Sequence, residues 1–204
     1  MLIHNVEQNT PEWLELRSGI PTASCFDKII TPTGKKSAQA EAYANQIIAE
    51  IMVGGPVDIW EGNQWSERGH ELEPQAVAFY ELQTGVECTV AGFVTNDAGT
   101  IGCSPDRLIG DTGLLEVKCP APHTHIGYLL GEKIDQKYYP QLQGQLWVCE
   151  REWVENISYH PELPPVLIRH ERDDNFIKSL ETYMKEFLEL LENKKDKMKQ
   201  LGHL

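Results

Sequence analysis

The sequence lacks long apolar runs, internal repeats and any excess of basic residues. No stretch approaches the roughly 20 apolar residues of a membrane-spanning helix, and the first residues show no signal-peptide pattern. The 204 residues are 41% hydrophobic and 24% charged, which is typical of a globular protein. We therefore expect a cytoplasmic protein that does not associate with a membrane, built as a single domain over residues 1–204.

Cysteine pairs with metal-site spacing are also missing. The five cysteines are odd in number and include no Cys-x-x-Cys pair: Cys25, Cys88, Cys103, Cys119 and Cys149. We expect reduced, mostly buried thiols rather than disulfides. The lack of a Cys/His cluster also argues against a metal-binding structural protein.

Positive charge is scarce, with 18 Lys and Arg residues against 31 Asp and Glu residues and a net charge of −13. Proteins that bind duplex DNA over a broad surface are usually basic. A nucleic-acid enzyme with this balance must confine its contacts to a small positive groove, while its acidic exterior repels DNA elsewhere.

The clearest chemical pattern lies between residues 102 and 120. Residues 100–109 and 114–119 have the character of strands, and the turn residues between them predict a β-hairpin. A turn centred on residues 111 and 112 would place Asp106 beside Val117, within reach of Glu116 and Lys118. Two neighbouring carboxylates resist ionising together unless a cation lies between them. Such hard oxygen ligands suit Mg²⁺.

An ordinary exposed strand pair is the simpler interpretation of Glu116 and Lys118, with Asp106 as a turn residue. Two details weigh against it. Asp106 directly follows a proline, and Glu116 lies between the apolar residues Leu115 and Val117. The charges are therefore expected at the edge of a core strand.

Helical patterns flank this hairpin. A Thr-Pro pair at residues 10–11 predicts a short helix that places Trp13 and Arg17 one turn apart on one face. A longer helix is predicted from about residue 64 to 82. In it, Glu73 directly precedes Pro74, which must kink the helix or mark a restart.

The remaining segments predict a mixed set of elements. Residues 137–148 predict a helix with Gln141 and Gln145 on one face, and glutamines on a buried helix need partners. Strands are predicted over residues 86–95, 153–159 and 166–172. An amphipathic helix over about residues 173–200 is expected to pack on the core or on an oligomer interface.

These patterns together resemble the PD-(D/E)XK nucleases, and most closely the lambda-exonuclease type of phage recombination nuclease, also called the YqaJ family. Five stretches carry the resemblance in the family's order: residues 13–24 (WLELRSGIPTAS), 69–73 (GHELE), 103–106 (CSPD), 115–120 (LEVKCP) and 138–143 (YYPQLQ). The resemblance implies an α/β fold with a restriction-endonuclease-like core, in which helices flank a central mixed β-sheet.

The resemblance also implies roles for individual residues. The catalytic and metal-binding set would be Asp106, Glu116, the Val117 carbonyl, Glu73 and Lys118. Two Mg²⁺ ions are expected, for which Mn²⁺ can substitute, and His70 and Glu71 compete with Glu73 as ligands near the second. Lys118 would orient or activate the attacking water, and we favour an electrostatic and positioning role over that of a base. The 5′-phosphate of a DNA end would be bound by Arg17, Ser24, Ser104 and Gln141, with Trp13, Tyr138 and Gln143 as further candidates.

The function implied by the resemblance is a bacteriophage 5′-to-3′ exonuclease that acts on double-stranded DNA ends in the cytoplasm of a bacterial host. It would release mononucleotides, leave 3′ overhangs for a single-strand annealing protein, and assemble as a ring-shaped homotrimer. Two alternatives stay open: an endonuclease of the same fold, and a non-catalytic scaffold that binds DNA or an annealing protein. The intact acids argue against a scaffold, which gains nothing from holding groups that repel each other.

Overall fold

The computed structural model describes residues 1–57 and 64–204, with the backbone alone for residues 64–67. The helices are α1 (Pro11–Arg17), α2 (Ala40–Val53), α3 (Gln64–Thr84), α4 (Pro122–Gly131), α5 (Tyr139–Val148) and α6 (Asp174–Gln200), with short 3-10 helices at Ala23–Lys28 and Gln136–Tyr138. The strands are β1 (Leu2–His4), β2 (Cys88–Thr89), β3 (Phe93–Thr95), β4 (Gly102–Cys103), β5 (Arg107–Ile109), β6 (Gly113–Lys118), β7 (Trp153–His160) and β8 (Leu163–Glu171).

A five-stranded mixed sheet in the order β2-β5-β6-β7-β8 forms the centre of the fold. Strand β6 pairs antiparallel with β5 and parallel with β7. Edge strand β8 contains Pro164 and Pro165, which an edge tolerates because no further strand needs their missing N–H groups. Helices α3, α4 and α5 contact the central strands, so the predicted mixed sheet flanked by helices is confirmed.

Alternate side chains of β6 face different helices. Leu115 and Val117 pack in one hydrophobic cluster with Ala76 and Tyr80 of α3. Leu114 instead belongs to a second cluster that includes residues of α5. Because side chains alternate along a strand, Glu116 lies on the same face as Leu114 and is directed toward α5.

The C-terminal helix α6 packs on the core. Its buried side chains recur at helical spacing and contact α2 and α5: Phe176, Ile177, Leu180, Met184, Phe187 and Leu191. Asp173 caps the helix, since its carboxylate accepts hydrogen bonds from the Asn175 and Phe176 backbone N–H groups at 3.0 Å each. Within the described residues, no helix has both the length and the apolar character needed to cross a membrane.

A smaller three-stranded sheet in the order β1-β3-β4 lies next to the 3-10 helix at Ala23–Lys28. The Gly102 N–H donates to the Pro21 carbonyl at 3.0 Å, and Thr22 forms a parallel bridge with Gly102. These contacts hold the segment that contains Ser24 against the strand that leads into Ser104.

The structure corrects two predictions of secondary structure and one of burial. The single strand over residues 86–95 is wrong, because β2 and β3 belong to different sheets. Between them lies Gly92, where a Cβ atom would stand 2.1 Å from the Val6 carbonyl oxygen, so the chain there passes against the N-terminal segment instead of continuing β2. A restart at Pro74 is also wrong, because α3 continues across it. Finally, the cysteines are not mostly buried, since Cys25, Cys88 and Cys119 are partly exposed.

The central hairpin forms, but the single strand predicted over residues 100–109 is wrong, because Gly102–Cys103 belongs to the smaller sheet and only Arg107–Ile109 pairs with β6. The register of the hairpin also differs from the predicted one by one residue. Ile109 pairs with Gly113 and Arg107 with Leu115, so three residues rather than two form the turn. Gly110 opens this turn at a φ of +50°, a left-handed conformation that glycine adopts without strain. The register therefore directs Asp106 toward the level of Glu116.

Candidate active site

Strands β5 and β6 bring the predicted acids and the lysine together. Asp106 lies one residue before β5, and its Oδ2 atom accepts a hydrogen bond from the Val117 N–H at 2.6 Å. On β6, Lys118 Nζ donates to Glu116 Oε1 at 2.5 Å, because residues two apart on a strand share one face. The hairpin thus places two carboxylates and an ammonium in one small volume.

Three donors hold the Glu116 carboxylate, which is 2% exposed. Its Oε1 atom accepts from Lys118 and from Gln141 Nε2, the latter at 2.6 Å. Its Oε2 atom accepts from Gln145 Nε2 at 2.7 Å. Both glutamines lie one turn apart on α5, so the sheet presents the carboxylate and the helix fixes its orientation.

The charges of this cluster are unbalanced. Burial raises the pKa of Asp106 well above its ordinary value, and the negative charge of Glu116 raises it further. Burial alone would lower the pKa of Lys118, but Glu116 and Asp106 outweigh that effect and raise it. When both carboxylates are ionised, one ammonium leaves a net negative charge, which a bound cation would neutralise.

The donor set suits Mg²⁺, because carboxylate oxygens of Asp106 and Glu116 are the hard ligands that this ion prefers. The Asp106 carboxylate receives one backbone hydrogen bond, from Val117. Among the described residues, no group of three or more His, Cys, Asp or Glu side chains has an arrangement that could hold a metal by itself. The site is therefore a two-carboxylate site, to which the Val117 carbonyl, water and substrate oxygens would have to contribute the remaining ligands.

Glu73 stands near these acids but is engaged by a cation. Arg107 donates to its Oε1 atom at 2.9 Å, and both side chains are more than two-thirds buried. The charge of Glu73 contributes to the raised pKa of Asp106, after burial and after the larger effect of Glu116. His70 and Glu71 are exposed, so of the three candidates on α3 Glu73 is the one that faces the site.

A second cluster joins four of the residues expected at a DNA end. The Trp13 indole Nε1–H donates to Ser104 Oγ at 2.9 Å. The Arg17 guanidinium lies over the Trp13 ring, 4.1 Å from its centroid, and donates to Ser24 Oγ at 3.3 Å. α1 positions the pair because the Thr10 side chain caps its first turn and accepts from the Trp13 N–H.

This second cluster borders a cavity of about 210 Å³ that Trp13 and Arg17 line together with residues of α2. It also adjoins the carboxylates, since only Pro105 separates Ser104 from Asp106 in the chain. The predicted metal site and the predicted phosphate site thus occupy neighbouring positions.

The residues around α5 are placed in different ways. Tyr138 lies at the site, with Lys118 Nζ 4.8 Å from its ring centroid. Gln141 is turned toward Glu116, where it donates a hydrogen bond. Gln143 is not brought to the site, since it is fully buried, donates to the Glu171 carbonyl and accepts from the Asp173 N–H.

Gln145 was not among the site residues expected from the sequence, although it was predicted on the same helix face as Gln141. The signal was its position one turn after Gln141 on a helix that is otherwise apolar on that side. A buried polar side chain requires a partner, and the partner here is the site carboxylate.

Comparisons with known proteins agree with this arrangement. The profile of the family described as YqaJ-like viral recombinase domain matches residues 12–152. The fold is similar to the crystal structure of the alkaline exonuclease LHK-Exo from Laribacter hongkongensis, with 35% identity, a TM-score of 0.85 and coverage of 95% of this chain and 98% of that one. A structure of LHK-Exo in complex with dAMP matches equally well.

A more distant likeness concerns the fold alone. The phage-related exonuclease from Haemophilus somnus 129PT is 16% identical, with a TM-score of 0.70 and coverage of 88% of this chain and 96% of that one. No curated protein matches the sequence. The similarity to LHK-Exo confirms the expected PD-(D/E)XK-type fold.

Proposed function

Because this chain belongs to the family of YqaJ-like viral recombinase domains, we propose that it is a Mg²⁺-dependent exonuclease that digests double-stranded DNA from its ends in the 5′-to-3′ direction. Its likeness to an alkaline exonuclease supports the coarser role of a DNA exonuclease. The observation that carries the finer proposal is the placement of Asp106, Glu116 and Lys118 beside the cluster of Trp13 and Arg17.

Hydrolysis of a phosphodiester requires that its negative charge is neutralised and that a water is deprotonated. A Mg²⁺ ion supplies both effects when bound, and Asp106, Glu116 and the Val117 carbonyl would hold it, with Glu73 near a second ion. The Lys118 ammonium donates to Glu116 Oε1, and the charges of Glu116 and Asp106 raise its pKa. We therefore assign Lys118 to orienting the water and the phosphate rather than to accepting a proton.

Recognition of a DNA end would fall to the second cluster. The planar Arg17 guanidinium and the hydroxyls of Ser24 and Ser104 are donors of the kind that bind a phosphate group. Gln141 would join them through the second N–H of its amide, since the first donates to Glu116. The dAMP bound by LHK-Exo is a deoxyribonucleoside monophosphate, which is the type of product that digestion from an end would release.

Membership of the same family also supports a proposal about the biological setting. We propose that the product is a 3′ overhang passed to a single-strand annealing protein, and that the active form is a ring-shaped homotrimer. Sedimentation equilibrium tests the assembly, for which the expected mass is about three times that of the chain. A monomer that retains full processivity would contradict the ring.

The activity is tested with linear duplex DNA in Mg²⁺, carrying either a 5′-phosphate or a 5′-hydroxyl, beside a sealed circle. We expect mononucleotide release from linear DNA, faster with the 5′-phosphate, and no cutting of the circle. Lys118→Ala should abolish release. Lys137→Ala is the matched control, because Lys137 lies over the same Tyr138 ring but pairs with Asp135 rather than with Glu116.

Other results would select an alternative. Cutting of the sealed circle would indicate an endonuclease with the same metal site. DNA binding with no cutting in either Mg²⁺ or Mn²⁺ would indicate a non-catalytic scaffold.

A further inference from the structure

The two oxygens of the Glu116 carboxylate have different surroundings. Oε1 accepts from Lys118 and Gln141, and both of these side chains are partly exposed. Oε2 accepts from Gln145, which is 1% exposed. One oxygen is therefore held by groups at the edge of the site, and the other by a group inside the core.

Further polar atoms lie behind this carboxylate. Asn156 pairs in register with Glu116 on the adjacent parallel strand β7 and is 1% exposed. Neither its Nδ2 nor its Oδ1 atom has a hydrogen-bond partner, and Gln145 Oε1 also has none. Buried polar atoms without partners destabilise a fold, so an apolar residue of similar size at position 156 would favour stability. Two buried amides that destabilise the fold but lie next to the proposed metal ligand Glu116 indicate that they serve the site.

We infer that Gln145 is a positioning residue that locks the Glu116 carboxylate from the core side, with Asn156 beside it as part of the same polar layer. The inference rests on the proposed function, in which Glu116 binds the metal. With Oε2 fixed by a buried amide, rotation of the carboxylate is restricted, and Oε1 stays directed toward Lys118 and Gln141. Gln141 does not supply this constraint, since it binds the same oxygen as the lysine and is more exposed.

A neighbour on the same helix offers a matched control. Gln143 is also a buried glutamine of α5, but its amide bonds only to backbone groups of Glu171 and Asp173. Its loss should therefore lower stability without altering Glu116. A purely structural role for Gln145 would make the two residues behave alike.

The test measures Mn²⁺ affinity of the full chain without DNA, from the electron paramagnetic resonance signal of free Mn²⁺. Gln145→Met keeps the side-chain volume and removes the donor, and we expect about 10- to 100-fold weaker Mn²⁺ binding, as is typical when a group that orients a metal ligand is lost. Gln143→Met should bind Mn²⁺ as the wild-type chain does, with a lower melting temperature. Circular dichroism establishes that each variant is folded.

Unchanged Mn²⁺ affinity in folded Gln145→Met would overturn this inference and leave the proposed function intact. If Gln145→Met does not fold, Gln145→Asn is measured instead, since it keeps an amide that is too short to reach Oε2, and the same criterion applies. A wild-type chain that binds no Mn²⁺ and digests no DNA would overturn the proposed function, and this inference with it.

Discussion

The two carboxylates of the site should affect stability in opposite directions. Asp106 is a partly buried acid that receives one backbone hydrogen bond and lies near the negative charge of Glu116. Asp106→Asn keeps an oxygen that can accept from Val117 and removes the unfavourable charge. We expect it to raise the free energy of unfolding by about 1 to 2 kcal/mol in EDTA, as when a destabilising functional group is removed.

Glu116→Gln should have the opposite effect. The carboxylate accepts from Lys118, Gln141 and Gln145, and its side chain is 3% exposed. An amide at this position has one oxygen for three donors, and its own N–H₂ group would face at least one of them. Removing one partner of such a buried ion pair costs roughly 3 kcal/mol, even with Asp106 left near the lysine.

Urea denaturation at pH 8 measures both effects, first in EDTA and then in Mg²⁺. Mg²⁺ at 100 times its dissociation constant should stabilise the wild-type chain by about 2.7 kcal/mol, and neither variant to that extent. Both variants should lose mononucleotide release. If both substitutions shift the unfolding free energy in EDTA in the same direction, the account of the site's charge balance is refuted.

Three further changes test other parts of the structure. Asp173→Ala removes the cap of α6 and should lower the free energy of unfolding by about 1 kcal/mol at pH 7. The hydrogen bond from the Phe176 N–H lowers the pKa of Asp173 in the folded state. The stability difference between wild type and variant should therefore be present above about pH 4 and be lost as the pH falls through the folded-state pKa, which urea denaturation across pH measures. Gly144→Ala would place a Cβ atom 2.3 Å from the Phe26 ring and should cost about 1 to 3 kcal/mol in the same assay. Arg17→Ala should reduce the preference for 5′-phosphorylated ends roughly tenfold or more, since a charged hydrogen bond contributes about 1.5 to 3 kcal/mol. Equal digestion rates in variant and wild type would mean that the 5′-phosphate does not bind at Arg17.

The features that sequence could predict are those fixed by local chemistry. The start of α1 follows from a Thr-Pro pair, because the Thr10 side chain caps a backbone N–H three residues away. The long amphipathic period of α6 and the shared face of Glu116 and Lys118 follow from helix and strand geometry. Helix periodicity likewise placed Gln141 and Gln145 on one face, but it did not show which groups they bind.

The features that sequence could not predict depend on how distant segments pack. Arg107 follows Asp106 in the chain but turns to Glu73 on α3, and no spacing reveals where that helix docks. Gln143 and Gln145 have different partners because residues two apart on a helix point to different sides of it. Gln143 points toward β8, and Gln145 points toward β6. Gly92 ends a strand only because the N-terminal segment lies against it.

The net charge of −13 is compatible with DNA binding because a few cations lie on aromatic rings beside the site. Arg17 lies over Trp13, and Lys118 and Lys137 lie over Tyr138, so aromatic faces hold these cations beside the site. Lys118 and Lys137 are also paired with acids, Glu116 and Asp135. The lysines on and around α6 are paired with acids as well: Lys36 with Glu186, Lys194 with Glu41, Lys195 with Glu192 and Lys199 with Asp196.

DNA binding should therefore depend only weakly on salt. With about two to four phosphate contacts for each protomer, the slope of log K against log salt concentration should be about −2 to −4, because each contact contributes roughly −0.9. Fluorescence anisotropy of a 5′-phosphorylated duplex in EDTA, where no digestion is expected, measures this slope. A slope steeper than about −6 would mean that the lysines on and around α6 leave their acidic partners and bind DNA. The small positive site would then not account for binding. A value near −3 would mean that an acidic chain can hold a DNA end through a few cations placed beside its carboxylates.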